Sequence, residues 1–322
     1  PMSRRKRTFR RGISVTVIIC LIITSFPAMA FGTEAEESVT ETEPVQETSK
    51  DLEDLTMDDV IEEESSEYIT VFDLGGNQRA KVFTSYPVHY EDESGQLAEV
   101  EPELVSVDEA KTTEQGNSLS GYAYENKTGK FKQYIPKSLS ENTPVLMESE
   151  EYSISMTPTG WFNGLLHKNQ RPGKKKEEAE SLVGETEEKE LTAVYDGSGA
   201  SLEYTSLADG VKESIILSEA PKKNEFSYKL VLKGLTAKVN DNDEGITFYD
   251  KTSGEIAASI DAPFMNDATG EAYSDAIQTS LKKRGNSGQY TLTFTVDQAY
   301  LNDSDRVYPV TIDPTATWTG SS

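Results

Sequence analysis

Tyr152-Ser-Ile-Ser-Met156 puts Tyr152, Ile154 and Met156 on one side of an extended chain and two serines on the other. A period of two marks a strand with one face buried and the other in water. Segments of the same kind recur in both directions. Upstream, Tyr68-Ile-Thr-Val-Phe-Asp-Leu74 reads as a strand, Gly75-Gly-Asn77 as a turn, and residues 80–90 as the returning arm of a hairpin. Strands at 97–100, 122–126 and 131–135 follow, with Asp92-Glu-Ser-Gly95 and Asn126-Lys-Thr-Gly129 as turns. Downstream, residues 192–195, 200–204, 211–217, 226–232, 237–240, 246–249 and 290–296 read as further strands, separated by Gly, Asn or Asp. About twelve short strands without a long helical period place the chain in the all-β class, as antiparallel β-sandwich-like layers.

Two stretches interrupt this pattern. Residues 31–67 are dominated by Glu, Asp, Thr and Ser, with no aromatic side chain after Phe31, and read as a disordered acidic linker. Within it Leu52, Leu55, Val60 and Ile61 have near-helical spacing, which suggests a transient helix. Residues 166–190 join Lys174-Lys-Lys176 to a run of glutamates and read as a charged loop or insertion. The expected organisation is therefore a signal peptide at 1–30, the linker at 31–67, β-rich regions at 68–165 and 191–316 on either side of the charged loop, and residues 317–322 as the start of a downstream domain.

The signal assignment rests on a basic head (Arg4, Arg5, Lys6, Arg7, Arg10, Arg11), an apolar run over residues 13–26, and Ala28-Met-Ala30. The small side chains of Ala28 and Ala30 suit cleavage after Ala30, and an uncleaved anchor is the alternative. The implied location is secreted, extracellular or cell-wall associated, with no stable membrane anchor once the signal is removed. Cleavage removes six basic and no acidic side chains and takes the formal charge from −25 to −31. So acidic a stretch predicts no nucleic-acid partner, because binding the phosphate backbone needs clustered cations. It also offers loose collection of Ca²⁺ or Mg²⁺ as a lesser reading beside plain solvation. The single cysteine, Cys20, falls inside the signal, so no disulfide is expected, and with only His89 and His167 no Cys/His zinc site is expected either.

Four segments together resemble a known family. Glu203-Tyr-Thr-Ser-Leu-Ala-Asp-Gly-Val-Lys-Glu-Ser-Ile-Ile-Leu217, Phe226-Ser-Tyr-Lys-Leu230, Ile260-Asp-Ala-Pro-Phe-Met265 and Arg306-Val-Tyr-Pro-Val-Thr-Ile-Asp-Pro314 resemble the amino-terminal region of bacterial DNRLRE-domain and RHS-repeat wall-associated proteins. Phe72-Asp-Leu-Gly75 and Tyr86-Pro-Val-His-Tyr90 look like the opening of that region. The resemblance implies a non-enzymatic presentation module, with downstream domains of the same polypeptide as its partners. A carbohydrate- or cell-wall-binding module, with wall polysaccharide or peptidoglycan as partner, is the alternative.

Among candidate chemical groups, Gly285-Asn-Ser-Gly288 lacks the spacing of a nucleophile elbow and reads as a hairpin turn. Asp241-Asn-Asp-Glu-Gly245 begins like a calcium loop, but no acid follows at the twelfth position, so a β-turn is expected. His89 and His167 read as packing or surface residues. With 56 acidic side chains no carboxylate pair stands out for glycoside hydrolysis. No catalytic residue, cofactor or metal ligand is therefore assigned. Trp161, Phe162, Tyr195 and Trp318 are the aromatic candidates for stacking on a sugar, and Trp161, flanked by Gly160, Asn163 and Gly164, is singled out for carbohydrate contact.

Overall fold

The computed structural model describes residues 18–22, 50, 54–166, 173–175, 189–241, 245–285 and 287–318. Ala28, Ala30 and His167 lie outside the described residues, as does most of the charged loop at 166–190. The chain is built from antiparallel sheets, as the alternating pattern requires, and divides into a unit of residues 1–97 and 176–187 and a unit of residues 98–175 and 188–322. No helix among the described residues is long and apolar enough to cross a membrane.

In the first unit, β1 (Ile18–Ile22), β2 (Ile69–Gly75) and β3 (Gln78–Phe83) form a sheet in the order β1-β3-β2. The hairpin turn between β2 and β3 uses Gly75, Gly76 and Asn77, all at positive φ. Order begins before Tyr68. Leu55 is buried against Phe72, Leu74 and Ala80, with Val60 packed alongside, and short 3-10 turns occupy Met57–Asp59 and Glu62–Glu64. Few apolar residues suffice here because they pack onto a hairpin that is already formed, instead of building a helix of their own. A small pair, β4 (His89–Glu91) with β5 (Leu97–Glu99), follows. His89 is buried on β4, with Nδ1 3.1 Å from the Ser66 carbonyl oxygen.

The second unit contains two large sheets. The first comprises β6 (Glu101–Ser106), β7 (Tyr122–Thr128), β8 (Lys132–Pro136), β9 (Val145–Glu148) and β10 (Ser153–Pro158). It is completed by β16 (Glu225–Lys233), β21 (Ile277–Arg284) and β22 (Gln289–Val296), in the order β21-β22-β16-β10-β9-β8-β7-β6. The second comprises β11 (Leu165–Leu166), β12 (Gly173–Lys175), β13 (Lys189–Asp196), β14 (Ala200–Ser206) and β15 (Gly210–Leu217). It continues through β17 (Leu235–Val239), β18 (Ile246–Asp250), β19 (Ile256–Ile260), β20 (Phe264–Asn266), β23 (Val310–Asp313) and β24 (Thr315–Trp318). Its main path is β11-β13-β14-β15-β24-β19-β18-β17, with β23 between β15 and β20.

Alternation along each strand supplies the core. Phe226, Tyr228, Leu230 and Leu232 of β16, and Tyr290, Leu292, Phe294 and Val296 of β22, are buried with Leu202, Ile215, Leu217, Phe248 and Ile260 of the other sheet. Each such side chain contributes roughly 1.5–3 kcal/mol on full burial, which is why the polar-in, apolar-out register is not adopted. The partner of β15 changes from β23 to β24 at Pro314, which has no N–H for the ladder and whose carbonyl instead accepts from Glu213 N at 3.1 Å.

Thr317 and Trp318, read from the sequence as the start of a further domain, belong to β24 between β15 and β19. The Trp318 ring packs 5.8 Å from Phe131 and 6.1 Å from Tyr152, centroid to centroid. The segment Asp241-Asn-Asp-Glu-Gly245 joins β17 to β18 as a hairpin, with residues 242–244 outside the described residues. Gly285 and Gly288, at positive φ, flank the β21–β22 connection.

Candidate functional site

Glu213 occupies an inward position of β15, in the same phase as Val211, Ile215 and Leu217, so its carboxyl projects between the two sheets where an apolar side chain would be expected. Only 2 % of the residue is exposed. Tyr204 is its direct cross-strand partner on β14. Tyr228, from β16 of the facing sheet, donates its hydroxyl proton to Glu213 Oε1 and so ties one sheet to the other. Glu213 Oε2 and the Tyr204 hydroxyl have no hydrogen bond of standard geometry. Both residues line a cavity of about 20 Å³ whose other walls include Met147, Ile154, Met156, Ile260 and Phe294.

These surroundings set the protonation. Burial pushes the Glu213 carboxyl up to about 8, against the smaller opposing pull of Tyr228 and then Tyr204. Burial likewise holds both tyrosines well above their ordinary range. Glu213 is therefore a neutral acid at neutral pH, able to accept one hydrogen bond and offer another. Its neighbour Lys212 has the opposite phase and pairs with Asp313 at 2.6 Å. In the closed core the carboxyl is out of reach of a macromolecular substrate.

Other buried contacts also join the sheets. The Tyr195 hydroxyl donates to the Pro136 carbonyl, and Gln133 Nε2 donates to Leu207 O at 2.9 Å. Tyr195 is fully buried, so it is unavailable to a sugar ring. Trp161 is half-buried. Its ring sits edge-on to Phe226 at 5.0 Å and to Tyr228 at 5.6 Å, beside Phe162 at 5.5 Å, and its indole N–H donates to Ser227 O at 2.9 Å.

A second polar cluster lies in the Arg306–Pro314 motif. The guanidinium of Arg306 stands 3.6 Å over the Tyr300 ring and 3.6 Å from Asp267 Oδ2, while Nε donates to Tyr300 O at 3.0 Å. Asp267 also accepts from Thr269 and from Val307 N, and the Thr269 hydroxyl first of all holds its carboxyl below the usual range. Replacing Arg306 by Ala is expected to speed amide exchange at Ala268, which donates to Val307 O. Arg306→Lys should restore little, since an ammonium lacks the planar fork that stacks and hydrogen-bonds together. Hydrogen exchange of the two variants checks this. Among the described residues no three His, Cys, Asp or Glu side chains gather as a metal-binding cluster.

Comparison with known proteins adds what the geometry lacks. The chain is 24 % identical over 339 aligned residues to the tRNA3(Ser)-specific nuclease WapA of Bacillus spizizenii, a match covering 99 % of this chain and 14 % of that protein. It is equally 24 % identical, over the same extents, to the tRNA nuclease WapA of Bacillus subtilis (strain 168). The tRNA(Glu)-specific nuclease WapA of Bacillus subtilis subsp. natto matches at 32 % identity over 125 residues, 38 % of this chain and 5 % of that protein. No family model matches the chain. No solved structure matches it.

These relatives correct several expectations. The resemblance to DNRLRE-domain and RHS-repeat proteins gives way to similarity with proteins named WapA and described as tRNA nucleases. A non-enzymatic presentation module conflicts with those names, and the carbohydrate- or wall-binding alternative receives no support from them. The exclusion of nucleic acid is overturned as well. It relied on the net charge of a chain that spans about 14 % of the length of relatives named as tRNA nucleases, and net charge over such a share says nothing of what the rest of those proteins binds. Sequence reading also missed Glu213. Its signal was present, a glutamate in the apolar phase of the strand at 211–217, but the facing tyrosine was not, because Tyr228 belongs to another sheet.

Proposed function

We propose that this chain is a segment of an exported, wall-associated tRNA nuclease of the WapA type, so that the reaction it serves is cleavage of a phosphodiester bond in tRNA. The carrying observation is similarity along 99 % of the chain to proteins described as tRNA nucleases. The basic and apolar layout of residues 1–30 supports export. The two-sheet core of residues 98–175 and 188–322 is then a folded part of that enzyme.

The test is cleavage of a deproteinised tRNA pool by the polypeptide as its gene encodes it, with the 322-residue chain assayed beside it. The expected result is discrete tRNA fragments from the encoded polypeptide, mapped to one position by end sequencing. A tRNA pool that stays intact, under conditions in which a WapA nuclease cuts, would sink the proposal. Fragments from the 322-residue chain itself would place the chemistry within these residues.

A further inference from the structure

The carboxyl of Glu213 is the only acid on the interior face of β15, and it is held from the opposite sheet by a single donor, Tyr228. We propose that Glu213 is a proton-operated latch between the two sheets, closed while its carboxyl is neutral and loosened when the carboxyl ionises.

Three features of the site carry this. First, the groups around the carboxyl are specific. The titratable side chains facing it are Tyr204 from β14 and Tyr228 from β16, while β9, β10, β19 and β22 present Met147, Ile154, Met156, Ile260 and Phe294. Among the described residues no lysine or arginine lines the cavity to balance a charge. Second, the neutral acid fits what is there. Oε1 accepts from Tyr228, and the proton on Oε2 has the hydroxyl of Tyr204, its direct cross-strand neighbour, available. Ionisation removes that proton and leaves a charge in an apolar cavity, a state relieved by separating the sheets and admitting water. Third, the other buried ties between the sheets do not respond in the same range. Gln133 does not titrate, and burial keeps the Tyr195 hydroxyl well above ordinary tyrosine.

The sign follows from linkage. With the folded value near 8 and the unfolded value near 4.5, the folded state holds the extra proton between these limits. The stability contributed by the neutral carboxyl is full below the lower limit and falls as pH rises between the two, and it is gone above the upper one, where the folded carboxyl itself ionises and the latch loosens.

The experiment is urea unfolding of the full chain and of Glu213→Gln at a series of pH values from 5 to 9. Gln keeps the shape of the neutral acid and cannot ionise. The ratio of folding constants, variant over wild type, is expected to rise about tenfold per pH unit up to about 8 and then level. A ratio independent of pH overturns the latch. A second measurement uses only the wild-type chain and guards against a variant that fails to fold. Amide exchange in β15 and β16 should climb between pH 6 and 8 more steeply than intrinsic base catalysis and then run parallel to it, and exchange that tracks the intrinsic rate throughout also overturns the proposal.

Discussion

Gly210→Ala is expected to destabilise the second unit by about 3 kcal/mol or more, lowering its melting temperature by roughly 6–12 °C. Gly210 begins β15 opposite Thr317 of β24. A Cβ at this position would stand 2.0 Å from the Ala316 carbonyl oxygen and 2.9 Å from Thr317 Cα. Both are backbone atoms in the middle of a sheet, so no rotamer change relieves the overlap and β24 must move away from β15. That movement breaks the hydrogen bond from Trp318 N to Asp209 O at 2.7 Å. It also lifts Trp318 from Phe131 and Tyr152, undoing packing between the two sheets. Thermal unfolding followed by tryptophan fluorescence checks both effects. A variant that melts with the wild type, with an unchanged emission maximum, shows that the sheet absorbs the methyl group and that the close approach is not a constraint.

Much of the fold was legible because burial on one face writes itself as alternation. The segments 226–232 and 290–296 correspond to β16 and β22, in which every second residue is in the core. Strands with less apolar content were invisible. β21 carries Lys282, Lys283 and Arg284 and buries only Ile277 and Thr279. It is an edge strand, and such charges keep an edge from pairing with other chains while erasing the hydrophobic signal. β19 is Ile256-Ala-Ala-Ser-Ile260, whose small central residues let it lie between β18 and β24 but give no alternation to read. β6 begins Glu101-Pro-Glu103 and is likewise an edge.

The site was less legible than the fold for a related reason. Alternation says which side chains point inward along one strand, but it does not say which strand of which sheet lies opposite. Tyr228 and Glu213 are each in plain sight within adjacent strands of the sequence, yet β15 and β16 belong to different sheets, so their meeting depends on the long-range pairings of β16 with β10 and β22. The same limit applies to Arg306. Its cation over Tyr300 and its ion pair with Asp267 join positions 306 and 267 across a loop that one-dimensional spacing cannot close. The expectation of no nucleic-acid partner, which the relatives' names contradict, failed for the opposite reason. There a global quantity, net charge, was applied to a segment of much longer relatives.

Phe294→Ala is expected to cost about 3–5 kcal/mol, and at the same time to flatten the pH dependence attributed to Glu213. Phe294 is fully buried on β22, faces Tyr228 with ring centroids 6.0 Å apart, and forms part of the cavity wall beside Glu213. Truncation removes a whole ring from a site that is already incompletely filled, so the new space adds to the existing cavity and the surrounding strands cannot collapse into it without breaking register. Stability therefore falls by the lost transfer term plus the cavity term. The enlarged space also lies against the carboxyl of Glu213, whose Oε2 has no hydrogen bond of standard geometry, and this makes it polar enough on one side to hold water. Water there lessens the desolvation that raises the Glu213 carboxyl, so its pKa moves down toward an ordinary glutamate and the window over which stability falls with pH narrows. Phe294→Leu, which keeps most of the volume and all of the apolar character, should cost less and leave the slope nearly intact. Urea unfolding of both variants at pH 5 and pH 8 separates the two contributions. A large loss of stability with an undiminished pH slope in Phe294→Ala would mean that the cavity stays dry and that burial by its remaining walls, Met147, Ile154, Met156 and Ile260 among them, still sets the protonation of Glu213.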